Sequence, residues 1–399
     1  MSALRPPRAI VEAVAAAGIV LAVILVLRPL TPHVSFNGGL GYDGVAYADM
    51  VAALRGASDG ALIATRPHFA YRPLAPAIVA ASGLDPIRGF LLVNLTSFVL
   101  SGPLLLALLR RYGVGVAPAL LGVLWWATLP AGVRYAIYDP VLTDGLGLLF
   151  LLAALVAIAH ERVAVFALIL AFGVLVRENL VVLVPFAALA LWRRGPLRAV
   201  ALAALAAVPA ALVFVAVRLA PPLPPPHGFD ALFEIRQNWD WLTQNASDRA
   251  WRLLAAGPLS LGLVFAIPIA RANASARFLR DHVAWAYYFV GTLLVIIAGG
   301  ADWDRYFLYF APALLVLTFA IGLPALGAAR ATIVTLAQLI AVRFAWPVGP
   351  NEAEYLAYNV ATMEMSHLAA LAVVSLGAIA FAVLVTSWPA RRRALAPSY

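Results

Sequence analysis

The chain has 399 residues, 64% of them hydrophobic and only 12% charged, with a net charge of +9 and no cysteine. Soluble domains carry about 25% charged residues, and a chain this apolar would expose more hydrophobic surface in water than a soluble monomer tolerates. Disordered chains are poor in apolar residues, and the lack of cysteine removes disulfide scaffolds, thiol nucleophiles and zinc–thiolate sites, which leaves an all-α polytopic membrane protein.

All 28 basic residues are arginine. About half lie in short clusters between apolar runs: Arg5/Arg8, Arg110/Arg111, Arg162, Arg193/Arg194/Arg198, Arg271/Arg277/Arg280, Arg330 and Arg391/Arg392/Arg393. Basic loops at membrane edges mark the cytoplasmic side, so the positive charge orients the chain, and no nucleic-acid partner is expected. The N-terminus has the charged start of a secretory signal without a small-residue cleavage site, and reads as a retained first span from about Val11 to Leu30.

A polar first outer loop over 31–72 follows, reading GGLGYDGVAYADM and then TRPHFAYRPLAP. Its glycines permit a tight backbone before Tyr42-Asp43. Asp43 then caps a helix over about Val45–Leu54, with Val45, Ala48, Val51 and Ala52 on an apolar face against the bilayer. A carboxylate at the water–membrane boundary also suits a general base, and both roles stay open for Asp43. His68, Tyr71 and Arg72 precede the next apolar segment, where an arginine fork either binds a lipid phosphate or snorkels to headgroups.

Apolar runs over about 86–109, 114–132 and 141–159 come next. Between the last two, VRYAIYDPVLTDG holds Arg134, Tyr138, Asp139 and Asp144. Asp139 reads as a cap with Pro140 in the first helical turn, and Asp144 as an acid one turn inside a span. Val163–Trp192 is apolar for 30 residues except at Arg177-Glu178-Asn179. A single helix of that length is about 45 Å long, beyond a hydrocarbon core of about 30 Å, and it turns every later basic cluster outward. Two short helices meeting at Arg177–Asn179 restore the charge pattern, with the break lining protein or a cavity.

A run over 197–219 leads into a second outer loop, 220–256, with Pro221–Pro226 at its start and Trp239, Trp241 and Trp251 at its end. Further runs lie over about 257–270, 283–299, 305–324, 331–345 and 367–387, with a third outer loop over 346–366. The segment GGADWDRYFLYF places Asp302, Asp304 and Arg305 at an outer helix start. The count is about twelve crossings in one integral-membrane domain, both termini cytoplasmic, in the inner (plasma) membrane.

The segments YDG…Y, FAYRPLAP, YDPVLTD and DWDRY, with the Arg-Glu break, a long first outer loop and short broken helices, resemble the GT-C class of integral-membrane glycosyltransferases. They also resemble bacterial membrane proteins grouped near that class. The likeness covers the span pattern and is specific in the first half and at DWDRY. It implies a polyprenyl-phosphate-linked sugar donor, a lipid, glycan or protein acceptor, and a catalytic acid in the first outer loop. By that resemblance Asp43 is the base and Asp49 the reserve candidate; no metal or other cofactor is expected. Arg72, Arg177 or Arg305 then supplies the cation for the leaving phosphate, with Tyr42, His68, Tyr71, Arg134, Tyr138, Asp139, Asp144, Glu178, Asp302 and Asp304 as further substrate-binding candidates. The alternatives are a transporter or lipid flippase, with its site at the Arg177-Glu178 break, and a non-catalytic scaffold.

Overall fold

The computed structural model describes residues 6–62, 69, 71–219, 239–240, 243, 257–258, 260–298, 303–323, 327–344, 349–359 and 365–387. The described residues form helices and turns, with no strand among them. The expected positions of Trp241, Trp251 and Pro221–Pro226 lie outside the described residues.

Helix α1 covers Pro6–Leu27 and α2 covers Asp43–Leu54. Helix α3, Leu74–Ser82, ends at Gly83 in the left-handed region, φ +71°. Helix α4, Pro86–Arg111, starts where the Asp85 carboxylate accepts from the Arg88 amide and Pro86 opens the first turn. Helix α5 (Val116–Thr128) meets a π-turn and the short α6 (Tyr135–Tyr138) at a 40° bend beside Pro130. Then come α7 (Asp144–Ala159), α8 (Val163–Gly173), α9 (Leu183–Ala190) and α10 (Pro196–Leu219). Beyond them lie α11 (Leu263–Ala270), α12 (Ala272–Asp281), α13 (Val283–Ala298) and α14 (Trp303–Tyr306). The last are α15 (Ala311–Leu317), α16 (Gly327–Phe344), α17 (Glu352–Asn359) and α18 (Met365–Ser387).

Among the described residues, three helical stretches are long and apolar enough to cross a membrane: Arg8–Leu30, Pro196–Val217 and α4; the bent pair around Pro130 makes a fourth. Shorter apolar helices surround them. The apolar character continues on the outside, where Leu25, Leu168, Leu205, Leu212 and Leu294 are all exposed. A helix that is apolar all round belongs inside a large protein or in a membrane.

Helix α4 is the spine, packed against α7, α1 and α5, while α8 packs between α7 and α10. Two features define the ends of this bundle. At one end Arg110 and Arg8 both reach Glu12, Arg111 Nε donates to the Ala159 carbonyl (2.8 Å), and Arg194 pairs with Glu161. That gathers the start of α1 and the ends of α4, α7 and α9. Because Glu161 precedes α8 and Arg194 follows α9, the chain enters and returns to the same end. It reverses through Val174–Arg177, as the charge pattern requires.

At the opposite end a second, smaller core forms around Tyr47, Phe69, Phe90, Val141 and Val176. It fastens α2 and α3 to the starts of α4 and α7. This packing corrects two expectations. The buried face of α2 is Ala46, Tyr47, Met50, Val51 and Ala53, which packs on protein, and not the 45/48/51/52 face laid on a bilayer. Pro140 does not open a helix; 139–143 is an irregular connection, and Asp144 is the first residue of α7, not one turn inside. Asn94, a polar residue buried in α4, holds that connection with two bonds of 2.9 Å to the Pro140 and Leu142 carbonyls, which are thereby satisfied in the apolar interior.

Candidate functional site

Asp43 sits at the first turn of α2, but its side chain does not cap the helix. Its Oδ2 accepts from Arg305 Nη1 at 3.2 Å, a contact between residues 262 positions apart. Arg305, on α14, also donates through Nη2 to Asp144 Oδ2 at 2.8 Å, and the other oxygen of Asp144 pairs with Arg177. The result is a four-member ladder, Asp43–Arg305–Asp144–Arg177. Asp43 is the open end of it, with 32% of its side chain exposed against 7%, 12% and 3% for Arg305, Asp144 and Arg177. The Tyr135 ring lies 5.5 Å from the Arg305 guanidinium, adding a cation–π contact.

A second ion pair stands beside the ladder. Arg72 grips Glu178 with both arms of its fork, Nε at 2.9 Å and Nη2 at 2.5 Å. Bidentate pairs of this kind are the strong ones. Tyr47 joins the two systems: its hydroxyl lies 3.3 Å from Thr143 Oγ1 and accepts from Arg72 Nη1 at 3.5 Å. Asp43 and Tyr47 are four residues apart on α2, so both point toward the site. Three arginines and three carboxylates thus meet at one end of the bundle, drawn from 43–47, 72, 143–144, 177–178 and 305.

Small residues make the approach possible. A Cβ on Gly147 would stand 2.9 Å from both Arg177 Cγ and the Tyr309 hydroxyl. A Cβ on Gly44 would stand 2.8 Å from Val141 Cβ, so Gly44 lets the start of α2 nest on the 139–143 connection. Gly41 has φ +65°, and a Cβ there would meet Asp139 Oδ2 at 2.9 Å.

The other sequence candidates divide clearly. Asp139 is buried beside Gly41, and Tyr138 donates its hydroxyl to the Gly349 carbonyl at 2.7 Å. Tyr42 packs its ring at a tilt against Phe36 and Tyr355 and donates to Glu352 Oε1 at 2.6 Å. That hydrogen bond holds the exposed Tyr42 hydroxyl above the ordinary tyrosine range. Tyr71 is buried, with its ring 5.8 Å from that of Phe214 of α10. Arg134 is half-buried one residue before Tyr135. Asp49 faces away from Asp43 on α2 and binds the following segment, accepting from Ser58 Oγ (2.5 Å) and the Leu62 amide (3.2 Å). His68 and Asp302 lie outside the described residues, as does the side chain of Asp304.

Tyr47, Thr143, Tyr135 and Tyr309 also belong to the site, although the sequence assigns none of them a site role and suggests for Tyr309 only a place at interface depth. The last had a usable signal: Tyr309 follows Arg305 by four residues, as Tyr47 follows Asp43, and the two hydroxyls reach the site at Gly147 and at Thr143 and Arg72 respectively. The Tyr309 hydroxyl is buried without a hydrogen-bond partner among the described residues. No group of three histidines or carboxylates with metal-binding spacing occurs among the described residues. Comparison of the chain with protein-family models, with curated proteins and with solved structures gave no match.

Proposed function

We propose that this protein is a membrane glycosyltransferase of the GT-C type, with Asp43 as general base and a polyprenyl-phosphate-linked sugar as donor. The observation that carries this reading is the position of Asp43 as the exposed end of a buried charge ladder. Among the described residues its hydrogen-bonding partner is Arg305 alone, through Oδ2, so Oδ1 is left to take a proton from an acceptor hydroxyl. The hydroxyl oxygen bonds to the anomeric carbon as the carbon–phosphate-oxygen bond breaks. The proton goes to Asp43, and the polyprenyl phosphate leaves as an anion. Of the three arginines, Arg72 is paired with the most exposed acid, Glu178, at 42% side-chain exposure. A phosphate replacing Glu178 on that fork meets the least desolvation cost.

The convergence of charges from five chain segments at one end supports transfer over transport. A transporter with its site at the Arg177-Glu178 break needs a polar path to both faces, and here both break residues are tied to the same end as Asp43. The arginine-rich opposite end supports a cytoplasmic orientation for it, which puts Asp43 at the outer face. About twelve crossings in the inner membrane, with both termini cytoplasmic, belong to this proposal.

The test is sugar transfer by purified protein in nanodiscs, supplied with polyprenyl-phosphate sugars and membrane lipid extract. Asp43→Asn is expected to lower transfer by about 100-fold or more at unchanged thermal stability. Undiminished transfer in Asp43→Asn moves the base elsewhere. Absence of transfer by wild type, together with substrate uptake into proteoliposomes, overturns the reading in favour of transport.

A further inference from the structure

The basic end of the bundle contains an open cavity of about 700 Å³ lined by the ends of α4, α7 and α9 and the junction of α12 with α13. Its size is typical of small-molecule sites, and it lies at the opposite end from Asp43. The interior is apolar and aromatic. Phe186 and Trp285 stand 5.1 Å apart, Tyr112 packs on Trp285 at 5.7 Å, and Phe278 stacks on His282 at 4.2 Å. Leu155 and Ile158 of α7 complete the buried wall. At the mouth, Trp192 and Val283 are about half exposed, which suits a rim opening at the interface of a bilayer. Helix α12 agrees with that depth: Arg277 and Arg280 are exposed, while Phe278 and Leu279 turn inward, the pattern of a helix lying in the interface plane.

The charged groups lining this cavity can be sorted by their commitments. Glu161 is bound by Arg194, and Arg111 uses Nε to hold the Ala159 carbonyl. Arg193 and Asp281 line the same cavity, and neither makes an ion pair or side-chain hydrogen bond among the described residues. One cation and one anion without side-chain partners among the described residues therefore stand at the exposed rim of an apolar chamber. A guanidinium fork fits phosphate oxygens, and a carboxylate accepts hydrogen bonds from a primary ammonium. A simple anion would leave Asp281 unpaired, and a quaternary ammonium has no proton to donate to it.

We infer that this cavity binds a zwitterionic phospholipid of the phosphatidylethanolamine type, its phosphate on Arg193, its ammonium on Asp281 and the start of its acyl chains between Phe186, Trp285 and Leu155. The site is separate from the proposed transfer centre and does not depend on the reaction there.

The full chain, purified in mild detergent, is titrated with dioleoyl phosphatidylethanolamine, phosphatidylglycerol or phosphatidylcholine, and bound lipid is read by native mass spectrometry. Phosphatidylethanolamine is expected to be retained about tenfold better than the other two, the equivalent of one charge-assisted hydrogen bond. Arg193→Gln lowers retention of all three lipids, whereas Asp281→Asn lowers phosphatidylethanolamine alone. Both side chains are exposed, so thermal stability in lipid-free detergent is expected to match wild type. Equal retention of the three headgroups, preference for phosphatidylglycerol, displacement by millimolar inorganic phosphate, or undiminished binding in the double variant each overturns the inference.

Discussion

The two ends of the bundle carry charge in opposite ways. At the Asp43 end three arginines and three carboxylates interlock, and all but Asp43 and Glu178 are nearly sealed from solvent. At the other end arginines predominate, and the Arg194–Glu161 pair is exposed, at 39% and 48%. Exposed arginines at helix ends need no partners, because water and headgroups solvate them. Buried ones do: removing water from a guanidinium costs several kcal/mol, recovered only through well-placed carboxylates. A buried, nearly neutral cluster is a weak source of net stability for that reason, while breaking it by removing one partner is costly. The arginines of the far end are under no such constraint: Arg8 and Arg194 keep exposed side chains even where they pair with Glu12 and Glu161.

The contrast is most directly broken by removing the shared acid of the ladder. Asp144→Leu leaves Arg177 and Arg305 buried without their common partner and is expected to cost about 3–5 kcal/mol. Chemical denaturation in mild detergent measures it; a loss under about 1 kcal/mol would mean that the ladder is effectively solvated. Gly44→Ala comes next. Its Cβ would meet the Val141 side chain at 2.8 Å, and overpacking of this kind costs about 1–3 kcal/mol. Because Gly44 adjoins Asp43, transfer activity is expected to fall more than stability does. Gly18→Ala, with nothing within 4 Å, is the control and should be neutral or slightly stabilising.

At the basic end the same chemistry gives a smaller effect. Glu161→Gln breaks an exposed pair and is expected to change stability by no more than about 1 kcal/mol, read by the same denaturation. The smallest effect concerns pH. Tyr42 donates to Glu352, and its pKa is raised. A raised folded-state pKa contributes stability that is complete below the ordinary tyrosine value of about 10 and is lost as pH climbs through the folded value. Proteolytic protection of 349–359 should therefore hold to about pH 9 and weaken only in more alkaline buffer. In Tyr42→Phe this alkaline step should vanish; loosening of wild type near neutral pH contradicts the assignment.

Much of the helical layout was legible because the signals are local. The start of α4 at Pro86, the runs that became α10 and α13, and the chain reversal near Arg177 follow from hydropathy and charge within a window of 20 or 30 residues. Asp85 was not singled out as the cap of α4, although Asp before Pro carries that signal. The short elements were harder. Pro140 suggested a helix start, but Asn94 of α4 holds the 139–143 backbone in an irregular path and delays α7 to Asp144. The face of α2 differs from its sequence pattern for a similar reason: Tyr47 counts as a mild amphipath by composition, yet Phe69 and Phe90 supply it with a buried aromatic socket.

What the sequence determined by itself was the class of element and the identity of the charged residues: apolar helices, an interruption at Arg177-Glu178, arginine clusters at one set of helix ends. Hydropathy and residue type act over neighbouring positions, so they can be read along the chain. Partnership could not. Whether Asp43 caps its own helix or accepts from Arg305 depends on where a segment 262 residues away comes to rest, and a carboxylate satisfies either demand equally well. The tertiary structure decided for Arg305, because a buried guanidinium must be paired whereas the first turn of a helix near water can be hydrated.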